Sequence, residues 1–199
     1  MDANDAAEMM EQEKTADRFK QRCAILIAVL AMLLAITALG GDNATKEAVN
    51  SNVLASNYFN FYQAKNMRQT AITLSADHLE LAVLNDPAIP DAAKAELKKK
   101  VEKYRQTIAR YETEPETGEG KKELLAKAKE WEEKRDHAMK QDPYFDYAQA
   151  LLQIAIVLIS VSIIAEVGWL VAFGAILGGL GALLMVNGFL LLVEVPFLG

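Results

Sequence analysis

Three long runs of apolar residues constrain this chain more than any other feature. Residues 23–40, CAILIAVLAMLLAITALG, contain no Asp, Glu, Lys or Arg. As a helix they extend roughly 27 Å, about the thickness of a bilayer's hydrocarbon core. Residues 148–193 hold one charge, Glu166, and are too long for a single crossing. They divide at Ala165-Glu166-Val167-Gly168-Trp169 into runs 148–165 and 167–193, a hairpin of two spans joined by a tight turn. Tyr144 and Tyr147 at the start of the second run and Trp169 at the turn sit where interfacial aromatics are expected. A re-entrant or interfacial pair is the alternative for the hairpin, and a cleaved signal peptide the alternative for the first run. The 22 residues before that run are long and net acidic, unlike the positive leader of a signal peptide.

Average composition hides this pattern. A chain 52% hydrophobic and 24% charged resembles an ordinary globular protein, but the two populations are segregated, with 94–146 dense in Lys and Glu. The net charge of −6 argues against a nucleic-acid partner, because phosphate binding needs a basic face. The single cysteine, Cys23, excludes an intramolecular disulfide and a cysteine-based zinc site, and His78 and His137 alone make a histidine metal centre improbable.

The fold class expected is therefore an all-α membrane protein. A charged tail over 1–22 precedes a transmembrane helix at 23–40. A helical, coiled-coil-like extramembrane domain over 42–147 follows, then transmembrane helices at 148–165 and 167–193 and a tail at 194–199. Lys14, Arg18, Lys20 and Arg22 precede the first span, whereas only Lys46 follows it closely, so the positive-inside bias places the N-terminus in the cytoplasm. The central domain and the C-terminus then lie outside and the Glu166 turn inside. Lys129, Lys134, Arg135 and Lys140 near the second span oppose this, but long loops translocate largely regardless of charge.

Within the central domain, Gly40-Gly41-Asp42 reads as a break, with Asp42 or Asn43 capping a long helix over 43–84. Val53, Asn60, Met67, Leu74 and Leu81 recur every seven residues, interleaved with Val49, Ser56, Gln63, Thr70, Asp77 and Leu84. That spacing suits a coiled-coil seam in which core-facing Asn and Gln set register, or an amphipathic helix packed within its own subunit. Tyr58, Phe59, Phe61 and Tyr62 flank Asn60 and cover more than half the helix circumference, so they cannot all face one neighbour. Pro87 and Pro90 close this helix. A second helix follows with the stripe Leu97, Val101, Tyr104, Ile108 and Tyr111, and its lysine run 98–100 reads as a solvated face. ETEPETGEG, 112–120, reads as a flexible loop. A third helix begins near Lys121 with Leu124, Ala128, Trp131, Arg135 and Ala138 on one face, and should pack antiparallel to the second. Asp142-Pro143 should bend the chain toward the second span.

Candidate sites are few. Glu166, the one ionisable group of the C-terminal apolar region, suggests either ion passage or a headgroup-level carboxylate at the turn. Asn187 in the third span needs a hydrogen-bond partner, most simply in interhelical packing. Gly174, Gly178 and Gly179 form small-xxx-small patterns that admit a close helix, either the hairpin's own or a second subunit's. Asp77, His78 and Glu80 do not converge on one helix face as metal ligands must. No phosphate loop, activated nucleophile or His-Glu zinc motif is present, so no catalytic, cofactor or metal site is assigned and an enzyme is not expected.

The layout resembles a family of uncharacterised bacterial inner-membrane proteins built on a domain of unknown function. The carrying residues are EQEK at Glu11–Lys14, the Ala/Leu-rich anchor, YFNFYQAKNMRQ at Tyr58–Gln69 and the Gly-rich C-terminal hairpin. The resemblance implies a bacterial inner membrane and supplies no activity or ligand. The expected role is a non-enzymatic scaffold or accessory subunit in the lipid bilayer, associating with copies of itself or with another membrane protein. A small oligomeric channel lined by Glu166, Asn187 or the polar seam, and an extracytoplasmic protein-binding module, are the alternatives.

Overall fold

The computed structural model describes residues 3–196, with side chains from Lys14 onward, so the end of the 194–199 tail lies outside it. The described residues form four helices: α1 (Ala3–Asn85), α2 (Asp91–Glu112), α3 (Lys121–Ala165) and α4 (Gly168–Leu190). Among the described residues none lies in a strand. Three of the helices, α1, α3 and α4, are long and apolar enough to cross a membrane. The chain divides into two compact units, and α1 and α3 contribute to both. Unit 1 takes the chain up to Ala48 and from Asp136 onward; unit 2 is Val49–Arg135.

Unit 1 packs α1, α3 and α4 around Cys23, Leu30, Leu152, Ala155 and Ile159. The helices α3 and α4 are antiparallel: Gly174 lies against Ile159, Gly178 against Ala155, Gly181 against Leu152 and Gly188 against Phe145. Each step forward on one helix matches an equal step back on the other. The turn between them is two residues, Glu166 and Val167, as the charge at this point predicts. It closes because Ser162 Oγ donates to the Val167 carbonyl (2.7 Å) and Glu166 adopts a left-handed backbone at φ 55°.

The expected break at Gly40-Gly41-Asp42 does not occur, and Asp42 and Asn43 cap nothing, because α1 runs through them. The glycines answer to packing instead. A Cβ on Gly40 would lie 2.6 Å from Phe145 Cε1, and one on Gly41 3.3 Å from Phe145 Cβ. Helix interiors tolerate glycine at about 1 kcal/mol each, and burial of an aromatic ring outweighs that. Pro143 also fails to interrupt its helix. Tyr144 and Phe145, which follow it, are buried, and Thr45 Oγ1 donates to Asp142 Oδ1 (2.8 Å), so contacts on both sides offset the missing backbone hydrogen bond.

In unit 2, α2 and α3 do not form the expected hairpin with each other. Arg105 of α2 binds Asp77 and Glu80 of α1, whereas Lys127 of α3 lies over the Tyr58 ring. Those α1 positions are roughly 28 Å apart along the helix, so α2 and the start of α3 follow one another along α1, both antiparallel to it. The stripes expected on α2 and α3 do face inward: Val101, Leu124 and Ala128 are buried. On α1 the buried residues facing them include Ala55 and Ala76, small enough to let the helices approach closely.

Candidate functional site

The 112–120 connection, expected to be flexible, is tied down from three helices. Gln69 Nε2 donates to the Ile108 carbonyl (3.0 Å) and to Glu112 Oε2 (3.1 Å), while Gln69 Oε1 accepts from Lys121 Nζ (2.7 Å). Lys121 also pairs with Glu112 at 3.2 Å. On the loop itself, Thr113 Oγ1 donates to Glu123 Oε1 (2.6 Å) and the Glu114 N–H donates to Glu123 Oε2 (3.2 Å). Lys65 reaches Glu114 and the Glu119 carbonyl, and Lys127 reaches the Gly118 carbonyl. Hydrogen bonds from Gln69 and then Lys121 hold the Glu112 carboxyl below the usual glutamate range, and the Thr113 hydroxyl does the same for Glu123. Composition alone hid this, because the breakers in the loop are visible and its long-range partners are not.

The four aromatics beside Asn60 separate by helix geometry. Tyr58 and Tyr62 turn toward α3, where Lys127 and Lys121 stand 5.7 Å from their ring centroids. Phe59 is half-buried, while Phe61 is 64% exposed and lines an open hollow of about 400 Å³ with Tyr58, Lys65, Arg68 and Lys127. Asn60 is exposed on the opposite side from the core.

Asn60 belongs to the heptad stripe, and here the structure reverses the within-subunit reading. Val53, Met67, Leu74 and Leu81, with Val49 and Leu84 beside them, are all exposed, Met67 at 73% and Leu84 at 78%. Tyr58 and Tyr62 turn toward α3, whereas Val53, Met67, Leu74 and Leu81 do not. Asp77 and Glu80 at its edge are gathered by Arg105 at 2.7 and 3.0 Å, which raises the guanidinium above its ordinary value, Glu80 contributing most. His78 points elsewhere and is exposed, so the three do not meet.

Other expected sites have local duties in unit 1. Gly174 and Gly178 are buried within the chain, where a Cβ would come 2.7 Å from Ile159 and 2.7 Å from Leu30 respectively, so the subunit's own packing uses them. Gly179 faces open space. Asn187 does not bridge helices. It donates to the Val193 carbonyl (2.8 Å) and accepts from the Val193 N–H (3.0 Å), closing the end of α4 with Leu191 at φ 45°. Tyr144 is buried rather than interfacial: its hydroxyl donates to the Val193 carbonyl and accepts from the Val195 N–H. Glu166 is 71% exposed at the hairpin tip and lies 3.9 Å from Lys20.

A family model described as Domain of unknown function (DUF4337) matches residues 19–191. The chain belongs to that family. The DUF4337 match takes in the unit 1 helices from just before the first apolar run to the Leu191 cap, together with all of unit 2. No curated protein and no solved structure matches the chain. The chain exposes large apolar side chains on unit 1 and, on unit 2, Val53, Met67, Leu74 and Leu81 of α1.

Proposed function

We propose that the chain is a multi-pass membrane scaffold or accessory subunit without catalysis of its own, assembling with copies of itself or with a larger membrane complex. One observation carries this reading: unit 1 is apolar on its outside. Its interior holds Leu30, Leu152, Ile159 and Phe145 together with Thr37, Ser162, Cys23 and the α4 glycines Gly174, Gly178, Gly181 and Gly188, while Ile25, Met32, Leu39, Ile164, Phe173 and Leu183 are exposed. In water such a surface would aggregate, whereas in lipid large apolar side chains on the outside are the expected arrangement, and the glycines at the helix contacts let the helices approach closely. The setting is a bacterial inner membrane with the N-terminus cytoplasmic and unit 2 periplasmic. The excess of Lys and Arg before the first span supports this orientation, and the pairing of Lys20 with Glu166 puts the hairpin tip at the same end of unit 1 as that basic flank.

The placements of Glu166 and Asn187 favour scaffold over channel. One is an exposed carboxylate at a helix turn, and the other is occupied in capping a helix end. Alkaline carbonate extraction should leave the chain in the membrane fraction, and proteoliposomes of the purified protein should pass no ions. Ion flux abolished by Glu166→Gln would replace the scaffold with the channel, and release into the carbonate supernatant would remove the membrane reading altogether.

A further inference from the structure

We propose that the outward stripe of α1 in unit 2 is a docking surface for a second copy of this chain, forming a parallel two-stranded coiled coil. This deepens the scaffold reading and rests on its membrane insertion. Val53, Asn60, Met67, Leu74 and Leu81 occupy successive equivalent heptad positions on a face covered by neither α2 nor α3. Sequence periodicity marks a seam here; Asp77 at its far end is bound by Arg105 of α2, while Val53, Asn60, Met67, Leu74 and Leu81 stay exposed.

Three features select a second copy as the occupant. The first is area. From Val49 to Leu84 the stripe is about 54 Å long and about 12 Å wide, so two copies bury on the order of 1,300 Å² in total, within the range of specific stable interfaces. The second is charge. Residues 48–64 carry no charged side chain, and at the far end Arg105 binds Asp77 and Glu80 from within the subunit. Two identical faces therefore meet without like-charge repulsion. The third is polarity. In copies inserted with one topology the chain enters unit 2 at Val49 from the same side of the membrane, which a parallel pair accommodates. In a parallel pair each Asn60 amide faces its own counterpart, and a slip of one heptad would set it against Val53 or Met67 with its hydrogen bonds unmade. Asn60 thereby fixes the register.

The test uses the full chain with Cys23→Ser, in detergent and in liposomes, carrying either Leu74→Cys or, on an exposed position of α3, Glu133→Cys. In a parallel pair equivalent seam positions lie within disulfide reach. Mild oxidation should link most Leu74→Cys chains into dimers, at least tenfold more than Glu133→Cys chains. The double variant Leu74→Glu/Leu81→Glu, on side chains already exposed, should keep its helical circular dichroism while its dimer dissociates at least tenfold more readily. Equal linkage at both positions, linkage of Leu81→Cys only to Val53→Cys, or a wild-type mass of one chain would overturn the proposal. So would a stripe protected from labelling only by lipid. Carbonate extraction of the same samples separates the two readings: a monomer retained in the membrane removes the dimer and leaves the anchor intact.

Discussion

The ring of Phe145 on α3 occupies the space that a side chain at residue 40 of α1 would need, its Cε1 lying 2.6 Å from the Cβ position of Gly40. From the α4 side, Gly188 leaves room for the same ring, and Phe189 meets it edge-on with centroids 4.8 Å apart. Phe145 is consequently only 2% exposed, held by glycine on two helices.

Gly40→Ala should therefore destabilise unit 1 by about 1–3 kcal/mol, the usual range for overpacking a rigid neighbour. Gly179→Ala, whose Cβ meets nothing within 4 Å, should be neutral or stabilising by up to about 1 kcal/mol through helix propensity. Thermal unfolding of both variants in one detergent checks the contrast, and equal melting temperatures would refute it.

Leucine at Gly174 or Gly178 should lower the stability of each subunit rather than its self-association. The new side chains would meet Ile159 and Leu30 of the same chain. The loss of melting temperature should be the same at dilute and concentrated protein. A loss that disappears at high concentration would instead place these glycines between subunits.

Acidification should loosen the 113–120 connection before it affects the helices. Glu112 and Glu123 have carboxyls lowered in the folded chain by Gln69 with Lys121 and by Thr113, respectively. Their contribution is present above the ordinary glutamate range and is lost as pH falls through the lowered folded values. After correction for intrinsic rates, amide exchange in 113–120 should be faster near pH 3 than at pH 7. Glu123→Ala should produce the faster exchange already at pH 7.

Glu166→Gln should leave stability and assembly unchanged, because a pair at 3.9 Å with both side chains largely exposed contributes little. Glu166→Gly should stabilise by about 1 kcal/mol, since the residue sits at φ 55°, where a Cβ is strained. Chemical denaturation in mixed micelles measures both, and a marked destabilisation by Gln would assign the carboxylate a task beyond the turn.

Much of this was legible from residue order. The three apolar runs, the tight turn at Glu166, the proline-marked end of α1, the start of α3 near Lys121 and the inward stripes of α2 and α3 all follow from periodicity and breakers, which act locally. The reading failed where a distant residue overruled a local preference. Gly40-Gly41 and Pro143 resemble interruptions until Phe145 and Tyr144 are packed beside them. The glutamates of 112–120 resemble a solvated loop until Gln69, Lys65 and Lys121 are brought alongside.

Composition and period by themselves therefore determined that the chain is helical and that three of its helices are apolar enough to cross a bilayer, because both depend on neighbours within a few turns. Tertiary structure decided which face of each helix is used. On α1 the stripe of Val53, Met67, Leu74 and Leu81 suited a core, yet the face with Ala55, Tyr58, Tyr62 and Ala76 took that place. Close approach of helices rewards small side chains, and this choice left the heptad stripe around Asn60 on the outside.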